Sequence, residues 1–385
     1  SSEWVADKVI RFPALLDELI DPALGRQLPI NEELEKSVDR ILLTAQGAEA
    51  TLEGLNYLKL ASELRVAVGQ LQGGLEGQEA MSILSGLAVA LLRGVLVVAG
   101  REIEARHGCF PCTDPRGDRR LHGLGSMAII GYGTLGAEEL AYGSDLDIVL
   151  LFEPTGKQSD GKRPLPPEQY YARLAQRVLS FLTVMTPSGR LYEVDTRLRP
   201  NGRAGSLVSS ISAFGTYQLE QAWTWELQAL TRARFIAGSP ALEAHFNRIR
   251  QEVLCLDRNE KDLAAELLEM RRRMLKEQAA KLGDRLSGSP KHGPGGLVDI
   301  EFIAQLGVLA NARLYPRVIR ATGTSQQISE LASIGWLSGK EAQQLLDTMA
   351  GLRNQKLMAA LIRDYPEAGT GMQESAAIFQ SRMER

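Results

Sequence analysis

The chain has 385 residues, 44% of them hydrophobic and 24% charged, values of an ordinary globular protein that exclude a wholly disordered or fibrous polypeptide. Lys and Arg number 44 against 47 Asp and Glu, a formal charge of -3, so the broad basic surface of a dedicated nucleic-acid binder is excluded and any polyanion must meet a local site. Three cysteines, Cys109, Cys112 and Cys255, are too few and too odd in number for a disulfide framework, and the expected setting is a reducing cytoplasm.

At about 100–200 residues per domain the length predicts two or three domains. The chain begins Ser1-Ser2-Glu3-Trp4, without an initiator Met or the order of a signal peptide, and we expect a piece of a longer protein. Residues 32–106 carry apolar positions at three- and four-residue spacing, as in Leu52, Leu55, Leu58, Leu60 and Leu64, with a break at Gly73-Gly74. That spacing predicts a helical region. Residues 83–100 are apolar enough to suggest a membrane span, but Arg93 stands in their middle, where lipid disfavours a charge. A buried helix and no membrane contact are expected. Residues 107–125, dense in Gly, Pro, Asp and Arg, read as a loop. His107, Cys109, Cys112 and His122 resemble half a zinc site, but a structural zinc usually shows a second paired set at recognisable spacing, and none is present.

The texture then changes. Residues 127–130 and 147–152 are short apolar runs of the length of buried strands, with room for a short helix between them. A polar loop at 154–167, a helix over 168–186, a turn at 187–189 and a third strand over 191–199 follow. Beyond Ser210 the periodicity is helical throughout, as at Leu263, Leu267, Met270 and Met274, and again at Leu345, Met349 and Leu352. The fold class is therefore α+β: a small mixed sheet (123–236) between a helical N-terminal region (1–122) and a C-terminal helical bundle (237–385).

The chemistry concentrates in the middle. Gly131-Tyr132-Gly133-Thr134-Leu135-Gly136 after a strand, with Glu153 about 20 residues on, matches a dinucleotide fingerprint. Only six residues separate Gly136 from Gly143, too short for the crossover helix of a parallel sheet, and the acids open the next strand rather than close it. That weighs against NAD. Asp145 and Asp147 lie at i and i+2 of a strand start, so both carboxylates share a face about 6.5–7 Å apart at Cα, a repulsion that hard divalent cations resolve. Alternation along the third strand puts Glu193, Asp195, Arg197 and Arg199 on one face, where a third carboxylate completes a two-metal site and arginines meet phosphate oxygens. A solvated edge strand is the bland alternative.

These residues carry a resemblance. Gly133-Thr134 followed by Asp145-Leu146-Asp147, with Asp195 on a later strand, resembles the nucleotidyltransferase superfamily of the polymerase-β type. More closely, residues 131–147, 191–200, 223–234 and 295–302 are similar to the bacterial glutamine synthetase adenylyltransferases, and specifically to their C-terminal, adenylylating unit. Thr134 and Ala137 depart from the Lys and Gly usual in that family. The resemblance implies Mg-ATP-dependent transfer of AMP to a tyrosine of glutamine synthetase, with pyrophosphate released. It implies that Asp145, Asp147 and Asp195 hold two Mg²⁺ ions, for which Mn²⁺ fits the same oxygens, and that Gly133, Thr134, Ser144, Arg197 and Arg199 face the nucleotide. It also implies glutamine and a PII-type signal protein as regulators. Deadenylylation of the same target by phosphorolysis, or a scaffold fragment without catalysis, are the alternatives.

Other features read blandly. Trp223 and Trp225 are expected as core anchors, with Glu226 free to face the site. Gly293-Pro294-Gly295-Gly296, before Asp299 and Glu301, suits a flexible loop over the nucleotide or a plain helix start. Arg271-Arg272-Arg273 suits a solvated helix face.

Overall fold

A computed structural model describes residues 2–20, 28–110, 126–154, 156, 158–363 and 371–384 of the chain. The N-terminal part is helical, as its spacing predicts: α1 (Glu3–Arg11), α2 (Leu16–Ile20), α3 (Asn31–Thr44), α4 (Gly47–Leu71) and α5 (Gly77–His107). Gly73, at φ +74°, ends α4 where the sequence shows its break. Helix α5 is long and apolar enough by composition to cross a membrane, but 72% of its most apolar window is buried inside the fold.

The sheet follows. Strand β1 (Met127–Gly131) pairs antiparallel with β2 (Leu146–Phe152), Gly131 opposite Ile148, and the four-residue helix α6 (Gly133–Gly136) lies between them in sequence. After α7 (Pro167–Thr183), β3 (Val194–Asp195) and β4 (Val208–Ser210) run parallel to β2 along one edge, β3 at its start and β4 at its end. Helices α8 (Ile211–Glu220) and α9 (Thr224–Thr231) lead to β5 (Arg234–Gly238), which closes the other edge antiparallel to β1. The rest is helical: α10 (Pro240–Leu254), α11 (Glu260–Leu282), α12 (Leu297–Asn311), α13 (Thr324–Ser333), α14 (Gly339–Leu361) and α15 (Met372–Met383). A mostly helical chain with a small mixed sheet agrees with the expected α+β class.

Alternation along the strands sets the layers. Met127, Ile129, Ile148, Leu150 and Phe152 point to one face, where they pack with α5 and α7. Ala128, Ile130, Val149 and Leu151 point to the other, where they pack with α8, α9, α10 and α12. The central strands are covered on both sides, which is why they read as apolar runs, broken in β2 by Asp147 at the site end. One long helix layer and one bundle thus share a sheet, and the site end of β2 is where it carries an acid, Asp147.

Two expectations fail here. The third strand is two residues long rather than nine, because the chain turns after Asp195, and β5 interrupts a stretch expected to be wholly helical.

Candidate active site

The end of β1 and the start of β2 bring the site together. The Tyr132 N–H donates to the Asp147 carbonyl at 2.8 Å, which sets the Gly133 turn beside the first residues of β2. Gly133 has φ +53°, and a Cβ there would stand 2.3 Å from Asp147 Oδ2, so only glycine lets the turn approach that carboxylate. Gly136 is as constrained: its Cβ would meet the Arg232 carbonyl oxygen at 2.1 Å and that of Gly131 at 2.5 Å. Antiparallel pairing of β1 with β2 rules out the dinucleotide fold, whose first two strands are parallel. Glu153, the acid that fold would need on a ribose, pairs instead with His245 at 3.3 Å.

Asp147 and Asp195 are register partners on adjacent parallel strands, Leu146 facing Val194 beside them, so the two carboxylates share one edge of the sheet. Asp145, exposed, precedes them by one pleat. Burial, reinforced by the Asp145 and Asp195 carboxylates, pushes the Asp147 carboxyl up to about 6, against an opposing pull from Arg197 and Arg232. That is what three acids crowded around one partly buried position must do. Asp195 accepts from the Arg197 backbone N–H at 2.8 Å and from Arg197 Nε at 2.6 Å. Arg197 thereby acts as the local counter-ion.

The other expected residues take different places. Thr134 sits half-buried in the α6 turn, its carbonyl accepting from the Glu139 N–H at 2.8 Å. The Ser144 hydroxyl accepts from the Ala141 N–H at 3.1 Å and so fixes the turn before Asp145. Arg199 does not line up with Asp195 as alternation predicted: its Nη1 donates to the Thr196 carbonyl and hydroxyl, both at 2.7 Å, and shapes its own loop. Glu193 pairs outward with Arg190 at 2.9 Å.

Several secondary readings are corrected. Trp223 and Trp225 are exposed, at 70% and 42%, rather than core anchors. Glu226 is buried and caps α9, accepting from the Trp223 N–H at 2.9 Å and from the Tyr217 hydroxyl. Arg271 is buried rather than solvated: it is paired with Asp299 and donates to the His292 carbonyl at 2.8 Å. Since the Gly295 N–H also donates to Asp299 at 2.6 Å, the 293–296 segment is tied down rather than loose. His107 is buried with both ring nitrogens engaged, Nδ1 2.7 Å from the Arg163 carbonyl and Nε2 3.3 Å from Arg173. Cys112 and His122 lie outside the described residues.

Sequence reasoning passed over one group. Glu139, Arg232, Glu301 and Arg353 form a largely buried ionic cluster behind the glycine turn. The Glu138-Glu139 pair directly after a glycine turn was the available signal, since a buried acid requires cations.

The carboxylate set suits a hard divalent cation by donor chemistry. Among the described residues no three His, Cys, Asp or Glu side chains converge as they stand into a ready metal cage. Asp195 is turned to Arg197, so a cation here would compete with that ion pair.

Comparison with known proteins was informative. The profile of the family described as "Glutamate-ammonia ligase adenylyltransferase" matches residues 1–249, and that of "GlnD PII-uridylyltransferase" matches residues 262–364. The protein named "Bifunctional glutamine synthetase adenylyltransferase/adenylyl-removing enzyme" from Xanthomonas campestris pv. campestris is 40% identical over 365 residues, 94% of this chain and 37% of that protein. Proteins of the same name from Shewanella loihica and Methylococcus capsulatus are each 38% identical, over 92% and 90% of this chain and 37% and 36% of their own lengths. The chain spans a little over a third of the length of these curated relatives.

Proposed function

We infer the function from one premise: the chain belongs to the glutamate-ammonia ligase adenylyltransferase family. On that premise we propose that it is a nucleotidyltransferase of the polymerase-β type, corresponding to the C-terminal, adenylylating unit of the bifunctional relatives. Its reaction is transfer of AMP from ATP to a tyrosine of glutamine synthetase. The tyrosine oxygen bonds to the α-phosphorus, the bond to the β-phosphate oxygen breaks, pyrophosphate leaves, and the hydroxyl proton passes to a carboxylate. The observation that carries this reading is the register pairing of Asp147 with Asp195 beside Gly133, with Asp145 in the same electrostatic neighbourhood.

Asp145, Asp147 and Asp195 would hold Mg²⁺, with Mn²⁺ suited to the same oxygens. Bound there, the metal would neutralise phosphate charge and favour the ionised tyrosine oxygen. Asp195 is the acceptor for the tyrosine proton, since it lies on the sheet edge opposite the glycine turn. Gly133 and Thr134 face the departing phosphates, and Arg197, exposed and paired with Asp195, supplies cationic charge to them. Ser144 and Arg199 shape the loops that carry these residues. Most of the acceleration comes from orientation and charge neutralisation.

The working division is a helical region over 1–122, the nucleotidyltransferase unit over 123–236 and the helical bundle over 237–385. Glutamine and a PII-type signal protein are the proposed regulators, a view supported by the match of 262–364 to a family whose name carries PII. ATP and glutamine synthetase as substrates imply a cytoplasmic setting. The test is transfer of label from α-phosphate-labelled ATP to purified glutamine synthetase with Mg²⁺, beside the Asp145→Asn variant. Label on a tyrosine with the parent chain alone supports the reading; label removed from adenylylated glutamine synthetase by orthophosphate, with none added, would replace it with the reverse activity.

A further inference from the structure

Three residues beyond Gly136 the chain buries a carboxylate, Glu139, only 4% exposed. A charge taken out of water needs partners, and those of Glu139 come from the segment before β5 and from the C-terminal helices. Arg232, just after α9, reaches it with Nη2 at 2.6 Å. The Thr324 N–H, at the start of α13, donates to it at 2.7 Å, and Arg353 of α14 forms an ion pair with it. Arg232 also pairs with Glu301 of α12 at 2.9 Å. Arg353 goes on to Gln78 of α5 at 2.7 Å and Ser325 at 2.9 Å.

The backbone of Glu139 is tied in the opposite direction. Its N–H donates to the Thr134 carbonyl at 2.8 Å, across a turn in which Glu138 adopts φ +61°. The same turn leaves no space between Gly136 and the Arg232 backbone. One residue thus joins the Gly133-Thr134 turn to α13, α14 and the end of α9. A buried ion group of this kind is a poor device for stability alone, because apolar residues of equal volume serve as well or better. What it supplies is a fixed geometry between parts, and here one of the parts is the glycine turn beside Asp147.

We propose that Glu139 is a positioning residue of the nucleotide site: through Thr134 it fixes the turn that faces the leaving phosphates, and through Arg232 and Arg353 it holds that turn in register with the helical half. The inference rests on the nucleotidyltransferase reading above. It assigns Glu139 a role in recognising the polyphosphate, not the nucleoside.

The test compares two probes, α,β-methylene-ATP with MgCl2 and AMP, bound to the full chain and to its Glu139→Gln variant. Glutamine keeps the volume and the acceptor for Thr324 but removes the charge that holds both arginines. Affinity for the triphosphate analogue is expected to fall tenfold or more, with that for AMP changed less than twofold. Arg382→Gln, which breaks a pair with Glu341 elsewhere in the bundle at 2.7 Å, serves as the control for stability alone and is expected to lower the melting temperature with both affinities kept. Should Glu139→Gln fail to fold, Arg353→Lys, which keeps the charge and loses the forked contact, is expected to show a smaller loss of the same selectivity. A folded variant that binds the triphosphate analogue within twofold of the parent, or loses both probes equally, overturns the inference. A parent chain that binds neither probe overturns the nucleotidyltransferase reading, and this inference with it.

Discussion

The Asp147 carboxyl makes the site a source of instability, and that has a measurable size. It titrates at about 6 in the folded chain against 3.8 for an ordinary aspartate, raised by burial and then by Asp145 and Asp195. An acid whose folded pKa lies above its unfolded one leaves stability unaffected below about pH 4, where both forms are protonated. It withdraws stability as pH rises from about 4 to about 6, and the loss is constant above that. At ~1.4 kcal/mol for each pH unit between the two values, the full penalty is about 3 kcal/mol. Asp147→Asn removes the charge and is therefore expected to stabilise the metal-free chain by up to about 3 kcal/mol at pH 7.5, while abolishing AMP transfer. The gain should shrink as the pH is lowered and vanish near pH 4. Urea unfolding in EDTA, at a series of pH values, measures this directly. Adding MgCl2 should raise the stability of the parent and leave the variant unchanged. A variant that is no more stable than the parent at pH 7.5, or whose gain persists at pH 4, would refute the electrostatic account.

Two further substitutions probe the framework. Asp299→Asn leaves the Arg271 guanidinium buried without its counter-charge and removes the strong acceptor for the Gly295 N–H. It should destabilise the chain by about 3–5 kcal/mol, read as a shift of the urea midpoint, and a change below about 1 kcal/mol would contradict the burial argument. Gly136→Ala puts a methyl 2.1 Å from the Arg232 carbonyl oxygen, a backbone atom that cannot swing aside. Far-ultraviolet circular dichroism should be retained while affinity for Mg-α,β-methylene-ATP is lost, and an alanine variant with parental affinity would show that the turn is not under constraint.

What the sequence made legible follows from what each segment must bury. Strands β1 and β2 are covered on both faces, so residues 127–130 and 148–152 are apolar without interruption and stand out from the helices around them. Helix α4 announces itself by apolar residues at three- and four-residue spacing, and α5 by an apolar stretch that the fold buries. Strand β3 misleads because Leu191 to Arg199 alternate as a strand does, yet only Val194 and Asp195 pair. Past that point the alternation serves a turn in which Arg197 folds back on Asp195 and Arg199 on Thr196. Strand β5 was hidden because it is an edge strand, only half buried and opened by Arg234, so it lacks the continuous apolar run of β1. Arg271 escaped because two neighbouring arginines are solvated, and no local pattern distinguishes the one whose helix face meets Asp299. The pairing of Asp147 with Asp195 was foreseeable as two acid-bearing strands, whereas the ion cluster behind them draws on residues between 139 and 353, beyond any local pattern.

The two cations that oppose the acid cluster differ in a way that bears on how it works. Arg197 has a side chain 65% exposed and pairs with Asp195, whose side chain is 15% exposed, so its half of the ion pair is open to water and easier to exchange. Arg232 has a side chain only 6% exposed and is locked between Glu139 and Glu301. On the proposed reading, a divalent cation held by Asp145, Asp147 and Asp195 would take over the work of the first and leave the second in place. Arg197 would then be free to turn toward the phosphates on its long side chain, while Arg232 stays paired with Glu139 and Glu301. One counter-ion is thus exchangeable and the other permanent, and the proposed reading needs that difference: charge beside Asp195 that a metal would replace, next to a buried pair that it would leave undisturbed.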